Sequence, residues 1–306
     1  MDKNYADTVR LLLTIAPDVF ANDIFAMKGG TAINLLVQDM PRLSVDIDVV
    51  YLPWQTPRDE ALQAINEELA AIASRIATLG VQTRLIPARD VGDTKLIVEN
   101  ETSQVKIEVN VVFRGSVLPA ERRGLSARTS DLFSAELDLP ILAPDELYAS
   151  KLVAALDRQH PRDLFDVWQL YESGDISEGM VECFVIYLAG HNRPPHEVLF
   201  SNDKDIANEY ERAFVGMTEV ECSLETLLEA RARLQRELPQ RLTTAHRQFL
   251  SGLVRAEPDW SLLQCPHAAE LPALRWKLSN LETFRKRRPS DFAAQADALD
   301  AGLNRT

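Results

Sequence analysis

Residues 28–51 read KGGTAINLLVQDMPRLSVDIDVVY, and the interpretation of this stretch decides the fold. A short apolar run at 24–27 leads into Gly29-Gly30, and the TAINLL that follows reads as the start of a helix. A Gly-Gly turn between strand and helix presents backbone N–H groups to an anion. The run 45–51 predicts a second strand. Side chains alternate along a strand, so Asp46 and Asp48 share one face and Ile47 points the other way. Two carboxylates side by side are costly to leave unpaired. A divalent cation relieves them, and hard oxygen ligands with room for phosphate oxygens suit Mg²⁺ or Mn²⁺.

The flanking segments supply the rest of a layered α+β domain. Residues 5–15 carry Val9, Leu12 and Leu13 near helical spacing, with Pro17 and Asp18 as the expected stop. Residues 59–79 place Leu62, Ile65, Leu69, Ile72 and Ile76 three and four apart, which predicts a long amphipathic helix ending near Gly80. Three strand-like runs follow at 81–86, 94–99 and 104–113, with a hairpin turn at Asn100 and Glu101. In the third, Ile107, Val109 and Val111 must face the core. Lys106, Glu108 and Asn110 share the polar face, where Glu108 could complete a three-carboxylate site with Asp46 and Asp48. The alternative is a cross-strand ion pair between Lys106 and Glu108 on a wet sheet face. The next connection carries Arg114, Arg122, Arg123 and Arg128 among Gly115, Pro119 and Gly124. It reads as irregular, with some arginines available to phosphates of a nucleotide or RNA.

Beyond Pro140 the pattern turns helical. Pro144-Asp145-Glu146 is a helix start, Pro161 begins another helix that Gly174 stops, and helices are expected at 179–188, 203–214, 223–253 and 269–284. The boundary is drawn at 142/143. The Arg-Lys-Arg-Arg run at 285–288 is the densest positive cluster; a solvated helix end and an RNA contact are both open readings. The five histidines are scattered and read as surface or packing residues.

Composition narrows the function classes. The chain has 306 residues, enough for two domains with ordinary cores, and 46% are hydrophobic. A net charge of −13 argues against broad, unspecific binding to nucleic acid, though not against a local basic path. Cys183, Cys222 and Cys265 are far apart and form no Cys-x-x-Cys pair. They read as reduced, buried thiols, with no zinc site expected. The polar start MDKNYADTVR lacks the apolar core of a signal peptide, and no run approaches the roughly 20 apolar residues of a membrane span. A cytoplasmic protein is expected.

The Gly-Gly turn, Ser44 and the Asp-x-Asp together resemble the nucleotidyltransferase superfamily of the DNA polymerase β type. More closely, GGTA followed by Arg42-x-Ser44-x-Asp46-Ile-Asp48 is similar to the AbiEii/AbiGii toxin family, which includes the MenT toxins. The likeness runs over about 24–171 and includes KIEVN at 106–110, Lys151, Arg158 and Arg162-Asp163-x-x-Asp166. It implies an N-terminal polymerase-β-like mixed sheet with flanking helices over 1–142, then a helical domain over 143–306 that contributes nucleotide and acceptor contacts. It also implies metal ligation by Asp46, Asp48 and Glu108, and phosphate contacts from Gly29, Gly30, Thr31, Arg42 and Ser44. Lys151 would be the triphosphate contact, joined at the nucleotide by Arg162, Asp163 and Asp166. For Arg162 and Asp163 the bland alternative is capping of a helix start. The activity implied is transfer of a nucleotide from an NTP to RNA, at the tRNA 3′ end, by a toxin of a toxin–antitoxin or phage-defence system with a cognate antitoxin. A small-molecule (aminoglycoside-like) or protein nucleotidyltransferase keeps the chemistry and changes the acceptor. A non-catalytic nucleotide-binding protein is the reading from another class.

Overall fold

Val105, Ile107 and Val109 are fully buried while Lys106, Glu108 and Asn110 between them are not, as alternation requires. They lie on β5 (Gln104–Asn110), a central strand of a seven-stranded mixed sheet. The computed structural model describes residues 3–86 and 94–305. The other strands are β1 (Phe25–Lys28), β2 (Ile47–Tyr51), β3 (Gln82–Ile86), β4 (Thr94–Glu99), β6 (Glu121–Gly124) and β7 (Asp138–Ile141). Their spatial order is β3-β4-β5-β2-β1-β7-β6. The pairs β2/β5 and β1/β7 are parallel and the remaining four are antiparallel. This is the α+β architecture that the sequence leads one to expect.

The sheet belongs to the first of two compact units, Met1–Leu147 and Tyr148–Thr306. Helix α1 (Lys3–Val19) buries Val9, Leu12, Ile15 and Ala16, and it passes through Pro17, where a stop was expected. A proline in the last turn removes only one donor, and Phe20 still bonds the Ala16 carbonyl at 3.1 Å. Helix α2 (Gly29–Ala32) follows β1 directly. Helix α3 (Arg58–Ala77) buries Ile65, Leu69, Ile72 and Ile76, the stripe legible in its spacing. The hairpin between β4 and β5 turns on Asn100, whose side-chain oxygen accepts from the backbone of Thr102 and Ser103. The expected irregular connection after β5 holds the edge strand β6 instead, and α4 (Ala127–Phe133) comes next. Charged Glu121, Arg122 and Arg123 disguise the strand, because an edge is kept short and charged to discourage further pairing.

The second unit is helical. Helix α5 (Pro144–Asp157) runs through the division, and α6 (Pro161–Ser173), α7 (Glu178–Ala189), α8 (Pro195–Leu199), α9 (Ala207–Ala213) and α10 (Leu224–Glu237) follow. The chain ends with α11 (Thr244–Val254), α12 (Pro272–Arg287) and α13 (Pro289–Leu303). The single helix expected over 223–253 is therefore two, α10 and α11. Pro239 lacks the N–H to continue α10, and Thr243 restarts the chain by accepting from the His246 amide at 3.2 Å. His246 is buried against the Glu182 carboxylate at 2.9 Å, a packing residue as expected. All three cysteines are buried, and none of them forms a disulfide. Among the described residues, no helix is long and apolar enough to cross a membrane.

Lys277 of α12 is buried and donates from Nζ to the carbonyls of His191 and Arg193, each at 2.8 Å. Burial pushes its pKa from 10.5 down to about 8. Between those values the unfolded chain holds more protons than the folded one, so stability rises with pH across that window, in total by on the order of 3 kcal/mol. Urea denaturation at about pH 7.5 and about pH 10 should register the rise, and Lys277→Met should abolish it.

Candidate functional site

The end of β1 and the start of β2 are held side by side by antiparallel pairing that sets Lys28 opposite Asp48. The chain then turns at Gly29, whose φ of +77° is comfortable only for a residue without a side chain. A Cβ built there would stand 2.4 Å from Asp48 Oδ2, so the backbone approaches the carboxylate as closely as glycine permits. At Gly30 a Cβ would meet a terminal guanidinium nitrogen of Arg42 at 2.6 Å and Ser44 Oγ at 2.9 Å. The turn is thus packed against three of the residues singled out in the sequence. Helix α2 loosens after one turn into a π-helical segment, Ile33–Val37, closed by the Gln38 amide bonding the Ile33 carbonyl at 2.8 Å. Such widened turns recur at functional sites.

Hydrogen bonds lock this corner. Asn34 is fully buried, donates to the Gly30 carbonyl at 2.8 Å and accepts from the Arg42 amide at 3.2 Å. Arg42, also buried, donates from Nη1 to the Leu43 carbonyl at 2.9 Å. Thr31 Oγ1 lies 3.0 Å from Ser44 Oγ, and the Ser44 amide donates to the Tyr5 hydroxyl at 3.2 Å. Burial raises the Tyr5 pKa, against opposing contributions from Ser44 and Arg42, so the phenol stays neutral and accepts. Asn34 and Tyr5 were not foreseen as site residues. For Asn34 a signal existed: it is the one amide in an apolar helix start, four residues after Gly30.

Asp46 immediately precedes β2, and Asp48 lies within it. Parallel pairing of β2 with β5 puts Glu108 beside Asp48, as the alternating pattern requires. The Glu108 carboxylate is engaged, however, by Lys95 Nζ at 2.9 Å, across the β4/β5 hairpin that sets these two residues opposite each other. The cross-strand ion pair weighed for Glu108 thus exists, with Lys95 rather than Lys106 as its partner. Among the described residues no three carboxylate, thiol or imidazole groups gather as a metal cluster. The donor set fits a divalent ion held by two carboxylates, Asp46 and Asp48, since Mg²⁺ commonly takes one or two carboxylates with substrate phosphates and water completing its shell.

In the second unit, Lys151 of α5 is sandwiched between two acids of α6, Asp163 at 2.7 Å and Asp166 at 3.0 Å. The Asp166 side chain is 1% exposed. Arg158, mostly exposed, reaches Asp163 at 2.8 Å and completes a four-membered charge network. The helix start is capped not by Arg162 or Asp163 but by His160, whose Nδ1 accepts from the Arg162 amide at 3.1 Å; burial lowers the His160 pKa, which keeps that nitrogen an acceptor. The Arg162 side chain is exposed. Elsewhere, Arg122 binds Asp138 at 2.9 Å and Arg123 donates to the Leu36 carbonyl at 3.0 Å. In the 285–288 run, Arg285 pairs with Glu257 and Arg288 with Asp291, which favours the solvated helix end.

Comparison with known proteins shows the family and the fold. A family model described as "Nucleotidyl transferase AbiEii toxin, Type IV TA system" matches residues 10–280, well past the 24–171 of the motif likeness. Among solved structures, MenT4, a nucleotidyltransferase toxin from Mycobacterium tuberculosis H37Rv, has a similar fold, with a TM-score of 0.58 and 19% identity over 89% of this chain and 93% of that one. No curated protein sequence matches the chain.

Gly29→Ala should cost about 1–2 kcal/mol from the left-handed backbone alone, and it must also push the Asp48 carboxylate aside. Thermal unfolding and nucleotide-binding calorimetry should both register the change. Lys151→Ala removes the cation held between two buried carboxylates and should lower stability by about 3–5 kcal/mol, measured by urea denaturation.

Proposed function

Because the chain belongs to the AbiEii nucleotidyl transferase toxin family of type IV toxin–antitoxin systems, we propose that it transfers a nucleotide from an NTP to RNA, at the tRNA 3′ end. A cognate antitoxin would counter it in the cytoplasm, where NTP and tRNA are abundant. The observation that carries this reading is the contact between Gly29 and Asp48, a left-handed glycine turn pressed against the second acid of the Asp-x-Asp. Nucleotidyl transfer needs a backbone anion cradle and a carboxylate pair at one strand end, and only glycine allows the two to touch.

The chain's own groups then take distinct parts. Backbone N–H groups of the turn and the hydroxyls of Thr31 and Ser44 are donors for the β- and γ-phosphates. Arg42, packed on Gly30, stiffens the turn and adds positive charge. Lys151 and the Arg162-Asp163-x-x-Asp166 motif are assigned to the nucleotide on the family pattern. Asp46 and Asp48, with Glu108 alongside Asp48, would hold Mg²⁺ or Mn²⁺. When bound, the ion supplies charge neutralisation for a triphosphate losing pyrophosphate. In the reaction the acceptor hydroxyl oxygen forms a bond to the α-phosphorus and gives up its proton. The bond from that phosphorus to the β-phosphate bridging oxygen breaks, and pyrophosphate leaves.

Purified protein incubated with each labelled NTP and total tRNA should place label on the RNA with one preferred nucleotide. The double change Asp46→Ala and Asp48→Ala should abolish both that label and the growth arrest on expression. Toxicity that survived the double change would sink the proposal.

A further inference from the structure

Of the four arginines after β5, Arg122 and Arg123 have side-chain partners within the first unit, and the Arg128 amide donates to Asp39. Arg114 differs. It is 5% exposed, and its Nε and Nη1 are buried with no hydrogen-bond partner. No carboxylate among the described residues pairs with it. A second cation, Arg58 at the start of α3, acts on it electrostatically. Burial lowers the Arg114 pKa and the Arg58 charge lowers it further, with the Tyr51 phenol opposing. A buried charge without a counter-charge is among the costlier features a fold can carry, and a like charge beside it adds to the cost. Both are relieved by a bound anion.

The setting suits one. Arg114 sits in a tight corner after β5, where Gly115, at a φ of +85°, donates its amide to the Tyr51 carbonyl at 2.7 Å. Arg58 begins a 20-residue helix whose N-cap, Pro57, offers no side-chain cap. A guanidinium presents a planar fork of donors matched to two oxygens of a phosphate. This corner is also separate from the Gly-Gly turn: β1 and β2 pair Lys28 with Asp48 at one end and Phe25 with Tyr51 at the other. Three residue steps along the strand, about 10 Å, separate the two ends.

We propose that Arg114 and Arg58 form a second oxyanion site that binds a phosphate group. The phosphate comes from free phosphate or pyrophosphate, or from a phosphodiester of a bound polynucleotide. The site itself stands on the unpaired guanidinium. Only the polynucleotide source rests on the nucleotidyl-transfer reading.

The test is calorimetric titration and thermal unfolding with inorganic phosphate, then with a short single-stranded oligoribonucleotide. The proteins are the wild-type chain, Arg114→Met, Arg58→Gln and the double variant Asp46→Ala, Asp48→Ala. Phosphate should bind wild type and the double variant alike, and bind about tenfold more weakly to Arg114→Met. Arg58→Gln, at an exposed position, keeps the test alive if Arg114→Met folds badly, and it should weaken binding about threefold. Without phosphate, Arg114→Met should be at least as stable as wild type, because it removes an unpaired buried charge. Oligoribonucleotide binding that weakens in parallel identifies the polynucleotide as the source; a loss confined to inorganic phosphate identifies the free anion. Phosphate binding that is absent from wild type, unchanged by both arginine variants, or lost in the double aspartate variant overturns the proposal. Since no transfer activity is read, a failure of the transferase reading leaves this result intelligible.

Discussion

The approach of the Gly29 backbone to the Asp48 carboxylate is the constraint on which the first unit depends. A turn with positive φ fixes the direction in which the chain leaves β1, and the absence of a Cβ allows the antiparallel pair β1/β2 to close with Lys28 opposite Asp48. Once that register is set, the helical turn after Gly30 must come down on Arg42 and Ser44. The polar atoms of that loop are then satisfied by Asn34, Thr31 and Tyr5. One short contact therefore propagates into a locked corner in which most side chains are already engaged before any ligand arrives. Preorganisation of this kind spares a site the cost of ordering its donors on binding.

Charge is handled differently in the two units. In the second unit, buried cations are matched within the unit. Lys151 lies between Asp163 and Asp166, and Lys277 lies on two carbonyls. A buried cation with partners holds its elements in register, and the cost of its desolvation is offset internally. In the first unit, the Lys95–Glu108 pair is partly exposed, an ion pair of the kind that contributes little to stability. Arg114 has no internal match at all. Across a chain of net charge −13, the scarcity of such sites makes an unmatched guanidinium the more telling feature.

Much of the fold was legible because period and burial agree: alternation marked β5, three-and-four spacing marked α3, and the glycine pair marked the turn after β1. Features that depend on partners distant in the chain were not. Lys95 meets Glu108 through a hairpin register that becomes known only once the turn at Asn100 is placed. Tyr5 reaches Ser44 across 39 residues of sequence. Edge strand β6 was missed because its charges serve solvent rather than a core. The split of the 223–253 helix was marked by Pro239, a local signal outweighed by the apolar periodicity on either side. At the candidate site, the sequence motif already joined Gly29, Gly30, Arg42, Ser44 and Asp48, which the fold packs together, whereas the neighbours that occupy their oxygens and nitrogens needed three dimensions.

The self-contained network around Lys151 bears on how a family of this kind loses its chemistry. Four charges that neutralise one another hold two helices together whether or not a nucleotide is present, so selection for folding alone would retain them in a descendant that no longer reacts. Gly29 serves folding and chemistry together: its positive φ closes the corner after β1, and its bare backbone lets the turn approach a carboxylate. In a drifting lineage the lysine and its aspartates would persist as fossils of the lost reaction.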